Sequence, residues 1–422
     1  MPEFKQAELP NGLRIVAEVD RRGYSAAMGY FVRAGARDEV DREAGLSHFL
    51  EHMMFKGTDK RSAADVNREL DELGGNSNAY TTEEQTVYYA AVLPKFQDRL
   101  VELLTDMLSP ALRDEDFDTE RQVILEEIAK YEDQPPFGAF ERAMENHFTP
   151  RGLGRRVLGT PQSIAAMTSA DMRAYFHRMY RPENIVLAAS GNVDFDSLVD
   201  DVATLTASWS QRPECPTPKA DPADTVPDGV SDESRLPIHD ASQAYLVKMM
   251  PGPSMRDADR YAARMLLSVL ADDGGSRLFW ELIDTGRAEV AAMWPQEFID
   301  DGAIFSYLVC PPSELDSCEQ LMDDLLGRLV QRPEQFAVTD DELKQAIGKA
   351  SAACIMASER PGNRLFGIGS RWLTCGEYVS TDQLLDLYRG VDLAAVMNAA
   401  EKYLQPTSVT RVLAAADTEP VG

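Results

Sequence analysis

Two of the five histidines, His48 and His52, stand four residues apart in the stretch Gly45-Leu-Ser-His-Phe-Leu-Glu-His-Met-Met-Phe-Lys-Gly57, with Glu51 directly before the second. Apolar residues fill the gaps, which predicts a buried helix. Residues four apart on a helix project from one face, one turn apart, so both imidazoles point the same way and Glu51 lies one residue off that line. Such a pair can grip a divalent metal with a carboxylate held beside the open position. Zinc takes imidazole nitrogens well, and a catalytic zinc keeps one position for water.

The order H-x-x-E-H inverts the H-E-x-x-H motif of zinc peptidases, and such a motif is a hypothesis until its context supplies more. A lone His on an apolar helix is usually a core or cap residue, so a third ligand decides the matter. Asp114 to Tyr131 predicts a helix that is acidic in its first turn, as the helix dipole prefers. On it Glu120 and Glu127 are seven residues apart and share a face, with Val123 and Ile124, while Glu126 points elsewhere. Docked against the histidine helix, this face would complete a His-His-Glu zinc site with Glu120 behind it. Two readings of Glu120 and Glu127 stand at this point: that pair of roles, or ordinary solvated helix carboxylates, as most are.

The elements that must position these side chains follow from periodicity. Leu13-Arg-Ile-Val-Ala-Glu and Ala26-Ala-Met-Gly-Tyr-Phe-Val read as strands across a turn at Asp20-Arg-Arg-Gly. The histidine helix ends at Gly57-Thr58, and a second helix runs from about Ser62 to Leu73, stopped by Gly74-Gly75. Asn76 to Leu93 is rich in Thr, Tyr and Val and predicts two short strands. An amphipathic helix spans Pro94 to about Leu108, and Pro135-Pro136 closes the carboxylate helix. Later, a helix from Ala170 to Tyr180 leads through Arg181-Pro-Glu-Asn into the strand Ile185-Val-Leu-Ala-Ala-Ser-Gly. The same plan recurs near the C-terminus, where Asp392 to Tyr403 leads into Val409 to Ala416, and Ala241 to Met250 repeats the early strand. This predicts an internal duplication with a period near half the chain. The second copy reads Ala262-Ala-Arg-Met-Leu-Leu-Ser-Val-Leu where the first carries its histidines, so only the first can hold metal. A stretch rich in proline and aspartate, 210–238, reads as a linker. The expected division is therefore 1–209, the linker 210–238, and 239–422.

Bulk properties set the class. A chain of 422 residues suits two domains, and 44% hydrophobic with 8% aromatic residues supports packed cores. There is no run of eighteen apolar residues, so no membrane span is expected. The first ten residues lack an apolar signal core and are too acidic for a transit peptide, which points to a cytoplasmic protein unless a presequence has been removed. The five cysteines show no C-x-x-C pairing and read as reduced thiols. A net charge of −28 disfavours nucleic acid and anionic membranes as partners, although acidity that merely keeps the chain in solution explains it as well.

Through these residues the sequence resembles the inverzincin peptidases of the pitrilysin type, especially small forms related to the mitochondrial processing peptidase. The resemblance runs through most of the chain: Asn11-Gly-Leu-Arg-Ile-Val, the H-x-x-E-H segment with its flanks, Asn78-Ala-Tyr-Thr, Glu120-Arg-Gln-Val-Ile-Leu-Glu-Glu-Ile, Asn184-Ile-Val-Leu and Gly275-Ser-Arg-Leu-Phe. It implies His48, His52 and Glu127 as zinc ligands, Glu51 as general base, and Glu120 as a second carboxylate supporting the site. It implies an α+β fold of two related domains, each a mixed, largely antiparallel sheet packed with helices, closing over a peptide chamber. It further implies a peptide substrate taken as an added strand along Asn78, Ala79 and Tyr80, through main-chain hydrogen bonds that tolerate varied sequences. One departure stands out. After Ser-Arg-Leu-Phe the family usually carries an Arg and a Tyr seven apart that hold the substrate backbone and the oxyanion. Here those positions are Ile283 and Val290, or Leu282 and Glu289, with Arg277 and Tyr307 as the nearest substitutes. The resemblance thus implies a homodimer, or a heterodimer with a related chain that supplies the Arg/Tyr pair. The competing expectation is a non-catalytic structural subunit of the same fold.

Overall fold

Runs that are apolar at nearly every position, such as Ala26-Ala-Met-Gly-Tyr-Phe-Val and Ile185-Val-Leu-Ala-Ala-Ser-Gly, belong to strands covered on both faces, and both are buried along their whole length in the computed structural model. The structure describes residues 2–132, 134–149, 151–209, 232–238, 241–405 and 408–416. They fall into two compact units, one within Met1–Ala129, Arg151–Pro222 and Met356–Val379, the other within Lys130–Pro150, Ala223–Ile355 and Ser380–Gly422.

The first unit holds a six-stranded sheet of β1 (Glu3–Glu8), β2 (Arg14–Val19), β3 (Ala26–Val32), β4 (Asn76–Thr81), β5 (Thr86–Val92) and β6 (Ile185–Gly191), in the order β1-β2-β6-β3-β5-β4. Only β2 and β6 pair in parallel. One face packs on helices that include α1 (Leu46–Met54), α2 (Ala63–Glu72), α3 (Gln97–Met107) and α4 (Asp114–Glu132). There the Tyr30 hydroxyl meets Thr105 at 2.7 Å, so the buried phenol keeps a partner.

The opposite face, Val16, Ala27, Phe31, Val87, Val186 and Ala188, is covered by Leu365, Ile368 and Leu373 of a helix far along the chain, Pro361–Cys375, called here the late helix. It opens on Pro361, whose missing N–H costs a first turn nothing, and stops at Gly376, which takes the left-handed φ of 67° that favours glycine. A Cβ on Gly369 would stand 2.3 Å from the Phe31 ring, so a glycine is what lets this helix lie so close to β3. Its Arg364 Nε donates to the buried Glu18 carboxylate of β2 at 2.9 Å, and Tyr378 Oη donates to the same group at 2.6 Å.

The second unit holds β7 (Asp232–Ile238), β8 (Ala244–Pro251), β9 (Val290–Glu297), β10 (Gly302–Cys310) and β11 (Thr410–Ala416), in the order β7-β11-β8-β10-β9. Set beside β2 to β6, the chain order, the strand order and the single parallel pair coincide. The duplication is therefore one of topology as well as of sequence plan. This sheet is covered by α5 (Pro135–Phe148), which comes from the first half of the chain and packs on β7, β8 and β11. Phe140 of α5 meets Tyr307 of β10 at 5.0 Å between ring centroids.

The two halves thus exchange covering helices, and the units do not follow one cut of the chain at 209 and 239. Each sheet has an apolar second face that its own half leaves open. The expected linker 210–238 also needs correcting at its end. Asp232–Ile238 is strand β7, paired in parallel with β11, while 210–231 lie outside the described residues. Among the described residues no helix is long and apolar enough to cross a membrane, and Cys310, Cys318 and Cys375 form no disulfide.

Candidate metal centre

Helix α1 starts at Gly45, whose φ of 92° and close approach to the backbone of Leu158 and Gly159 leave no room for a side chain. The first N–H groups of a helix have no partner within it. Here the Glu39 carboxyl group accepts from Gly45 N at 2.8 Å and Ser47 N at 2.6 Å, which gives two of those N–H groups a partner. Glu39 is fully enclosed, and burial pushes its pKa up to about 8 against the pull of those bonds. Leu46, Phe49, Leu50, Met53 and Met54 fill the core, which fixes the opposite turn of the helix and with it the two histidines.

Helix α4 docks through Phe117, Ile124 and Ile128, all buried, and Phe117 stacks on Phe49 of α1 with centroids 4.6 Å apart. Glu120 and Glu127 lie on this inward side while Glu126 is exposed, as the seven-residue spacing predicts. Val123, expected beside them, is 43% exposed instead. A helix advances 100° per residue, and three steps beyond Glu120 carry Val123 past the edge of the contact.

Donor atoms of His48, His52 and Glu127 lie within 4.8 Å of one another. Glu127 Oε2 is 3.6 Å from His52 Nε2 and 3.9 Å from His48 Nε2. These separations are too long for hydrogen bonds. They are close to the roughly 3.4 Å between ligands placed tetrahedrally at about 2.0–2.1 Å around one zinc ion. Three donors that converge without bonding to one another fit a shared metal. Burial, with the neighbouring His52, pushes the pKa of His48 down to about 3, so its imidazole is neutral and its lone pair available.

His52 is oriented from behind. Its Nδ1 meets Glu120 Oε1 at 2.8 Å, and Lys56 forms an ion pair with the other oxygen of Glu120. Burial lowers the His52 pKa, but the bond and charge of Glu120 more than offset it and the net shift is upward. Glu120 itself is held below the usual carboxylate range. Burial opposes this, and the His52 and Lys56 contacts prevail. A carboxylate on the outer nitrogen of a metal-binding imidazole fixes its tautomer and strengthens it as a ligand.

Glu51 points from α1 toward β4. Its Oε2 accepts from the Thr81 hydroxyl at 2.6 Å. Burial raises its pKa, and the Thr81 bond pulls part of that back. Asn78, Ala79 and Tyr80 lie on β4, the edge strand of the sheet, so an extended segment could pair there. The Ala79 N–H is meanwhile held by the Asn78 side-chain oxygen at 2.9 Å.

The nearest substitutes for the expected Arg/Tyr pair are engaged within the second unit. Leu282 is buried in the second core and Ile283 packs against it. Arg277 donates to both oxygens of Glu342 at 2.8 and 2.9 Å and to the carbonyls of Phe336 and Ala337, which commits its fork to tethering that segment. Tyr307 packs on Phe140 within the second unit. Sequence reasoning missed Lys56, Thr81 and Glu39. Only Lys56 left a local signal, lying one helical turn beyond His52. Thr81 bonds Glu51, and Glu39 caps the start of α1, through contacts that no spacing encodes.

Residues 14–161 match the family described as insulinase (peptidase family M16), and residues 166–349 match the peptidase M16 inactive domain. The chain is 34% identical over 384 residues to an uncharacterized zinc protease of Streptomyces coelicolor, covering 90% of this chain and 83% of that one. It is 29% identical over 413 residues to a probable mitochondrial-processing peptidase subunit beta of Arabidopsis thaliana, covering 96% and 76%. A protease from Helicobacter pylori shares the fold with a TM-score of 0.90 at 20% identity, covering 98% of this chain and 100% of that one.

Proposed function

Because the chain belongs to peptidase family M16, we propose that it is a zinc-dependent endopeptidase or oligopeptidase acting on unfolded peptides. The observation that carries this reading is the convergence of His48, His52 and Glu127 with Glu51 on the same helix as the histidines. His48, His52 and Glu127 would hold the metal. Zinc bound there supplies Lewis acidity, which lowers the pKa of a water molecule toward neutrality and polarises a scissile carbonyl.

The chain's own residues do the rest. Glu51 takes the proton of the attacking water and passes it to the leaving amine. Glu120, charged and neutralised by Lys56, keeps His52 in one tautomer. The substrate lies along β4 as an added strand, held through its main chain, so an extended segment is required and sequence is read weakly. Pairing there displaces the Asn78 oxygen from Ala79. A second chain, identical or related, is proposed to supply the missing Arg and Tyr. The same absence favours the second reading, a non-catalytic subunit that keeps the fold.

Zinc content and cleavage of a quenched peptide library separate these readings. The expected results are one zinc per chain, cleavage abolished by a chelator, and an E51Q variant that keeps zinc and loses all but a small residual rate. A wild-type rate in E51Q would refute the role of Glu51. Zinc-free, inactive protein, alone and mixed with a related chain, would leave the structural subunit. Full activity of the isolated monomer would remove the second chain from the proposal.

A further inference from the structure

Glu51 reaches its position by one side-chain hydrogen bond, and the donor lies thirty residues away on the edge strand. The direction of that bond is fixed by its surroundings. Thr86, opposite Thr81 in the β4–β5 ladder, gives its proton to the Ala34 carbonyl at 2.8 Å. It therefore has none to offer Thr81, whose oxygen lies 3.4 Å away. The Thr81 proton has a carboxylate oxygen at 2.6 Å, and a charged acceptor is the stronger one. One oxygen of Glu51 is thus occupied and the other is left to receive a proton.

The backbone carrying this hydroxyl is itself held. Thr82 N bonds Gln85 O at 2.8 Å to close the hairpin, and Gln85 Nε2 donates to Ser370 of the late helix at 3.0 Å. Tyr80, the neighbour of Thr81, meets Phe366 of that helix at 5.9 Å between centroids.

We propose that Thr81 is a positioning residue for Glu51, and that through it the strand receiving the peptide also sets the orientation of the general base. The proposal deepens the peptidase reading and rests on Glu51 being the base. A peptide pairing along β4 fixes the strand whose last residue holds Glu51, so strand occupancy and base geometry are coupled by one hydroxyl.

The test compares T81V, T81A and T81S, each in wild-type and E51Q chains, using a quenched peptide with zinc content measured alongside. Valine keeps the shape of threonine and loses only the hydroxyl. T81V and T81A are expected to lower kcat by about tenfold to a hundredfold, the usual effect of losing a bond to a charged group. KM should stay within about twofold and zinc should remain stoichiometric, because neither strand pairing nor the ligands change. T81S should recover most of the rate. In the E51Q background T81V should lower the residual rate no further, since groups acting as one unit are not additive. An unchanged kcat in T81V, a loss carried by KM, or losses that multiply with E51Q would overturn the proposal while leaving the peptidase reading intact. A wild-type rate in E51Q would overturn both.

Discussion

At the level of single residues, the line Lys56–Glu120–His52 makes a claim about metal retention rather than turnover. Glu120 is 3% exposed, and its charge is tolerable there because Lys56 and the His52 ring share it. Replacing Lys56 by Met leaves a buried carboxylate short of a partner and loosens the grip on His52. Groups behind a metal ligand typically contribute tenfold to a hundredfold in affinity, so K56M is expected to release zinc to a chromogenic chelator about tenfold faster. E120Q should release it faster still, and K56R near the wild-type rate. Loss in the double variant K56M/E120Q should fall short of the product of the two, because both act through one imidazole. Zinc release from K56M at the wild-type rate would show the lysine to be a surface charge. The cluster of candidate ligands was legible because a helix writes its face into the sequence every three to four residues, as with His48 and His52 or Glu120 and Glu127. Thr81 was not, because Glu51 meets it across thirty residues of chain, and a threonine in a strand has no pattern that says where its hydroxyl goes.

Among the elements, α1 and α4 were readable, since each carries its own periodicity and its own stop. The helices α5 and Pro361–Cys375 were not. Pro135-Pro136 reads as an ending and Pro361-Gly362 as a break, yet proline is equally at home in the first turn of a new helix. The duplication is plainest in another pair of helices. Counting from the first residue of each 19-residue helix, Asp114–Glu132 and Asp340–Ser358, the positions of Glu120 and Glu127 hold Ala346 and Ala353 in the second copy. The repeat has kept the element and lost the chemistry. The late helix also yields a sharp contrast in stability. Gly367 is exposed and a Cβ there meets only Arg364 Nη1 at 3.5 Å, so G367A should gain up to about 1 kcal/mol of helix propensity. Two residues on, G369A gains the same propensity and drives a methyl into Phe31, where overpacking costs about 1–3 kcal/mol. Urea unfolding of the two variants should move the midpoint in opposite directions. A rise for both would mean that the helix does not lie tightly against β3.

For the molecule as a whole, the exchange of helices decides where the chain can be divided. Every residue of the candidate metal site lies before Ala129, and the composition shift after 209 suggests that 1–209 is a self-sufficient domain. The packing argues otherwise. Without the late helix, Val16, Phe31, Val87 and Val186, all 0% exposed, lose their cover. Burial of side chains of this kind contributes about 1.5–3 kcal/mol each, so the deficit is on the order of 10 kcal/mol, comparable to the roughly 5–15 kcal/mol that holds a typical domain together. Glu18 also loses Arg364 and Tyr378, and α5 is left with the buried face of Ala139 and Ala143 and no sheet to meet. A chain ending at residue 209 is therefore expected to aggregate, bind a hydrophobic dye and hold zinc poorly, even though it contains every candidate ligand. Restoring residues 356–379 through a flexible linker, with 133–149 replaced by a short polar loop, should recover a monomer with cooperative unfolding and one zinc. If the chain ending at 209 is already monomeric, cooperative and zinc-loaded, the late helix is an ornament on a sheet that stands without it, and the boundary belongs where the sequence alone would put it.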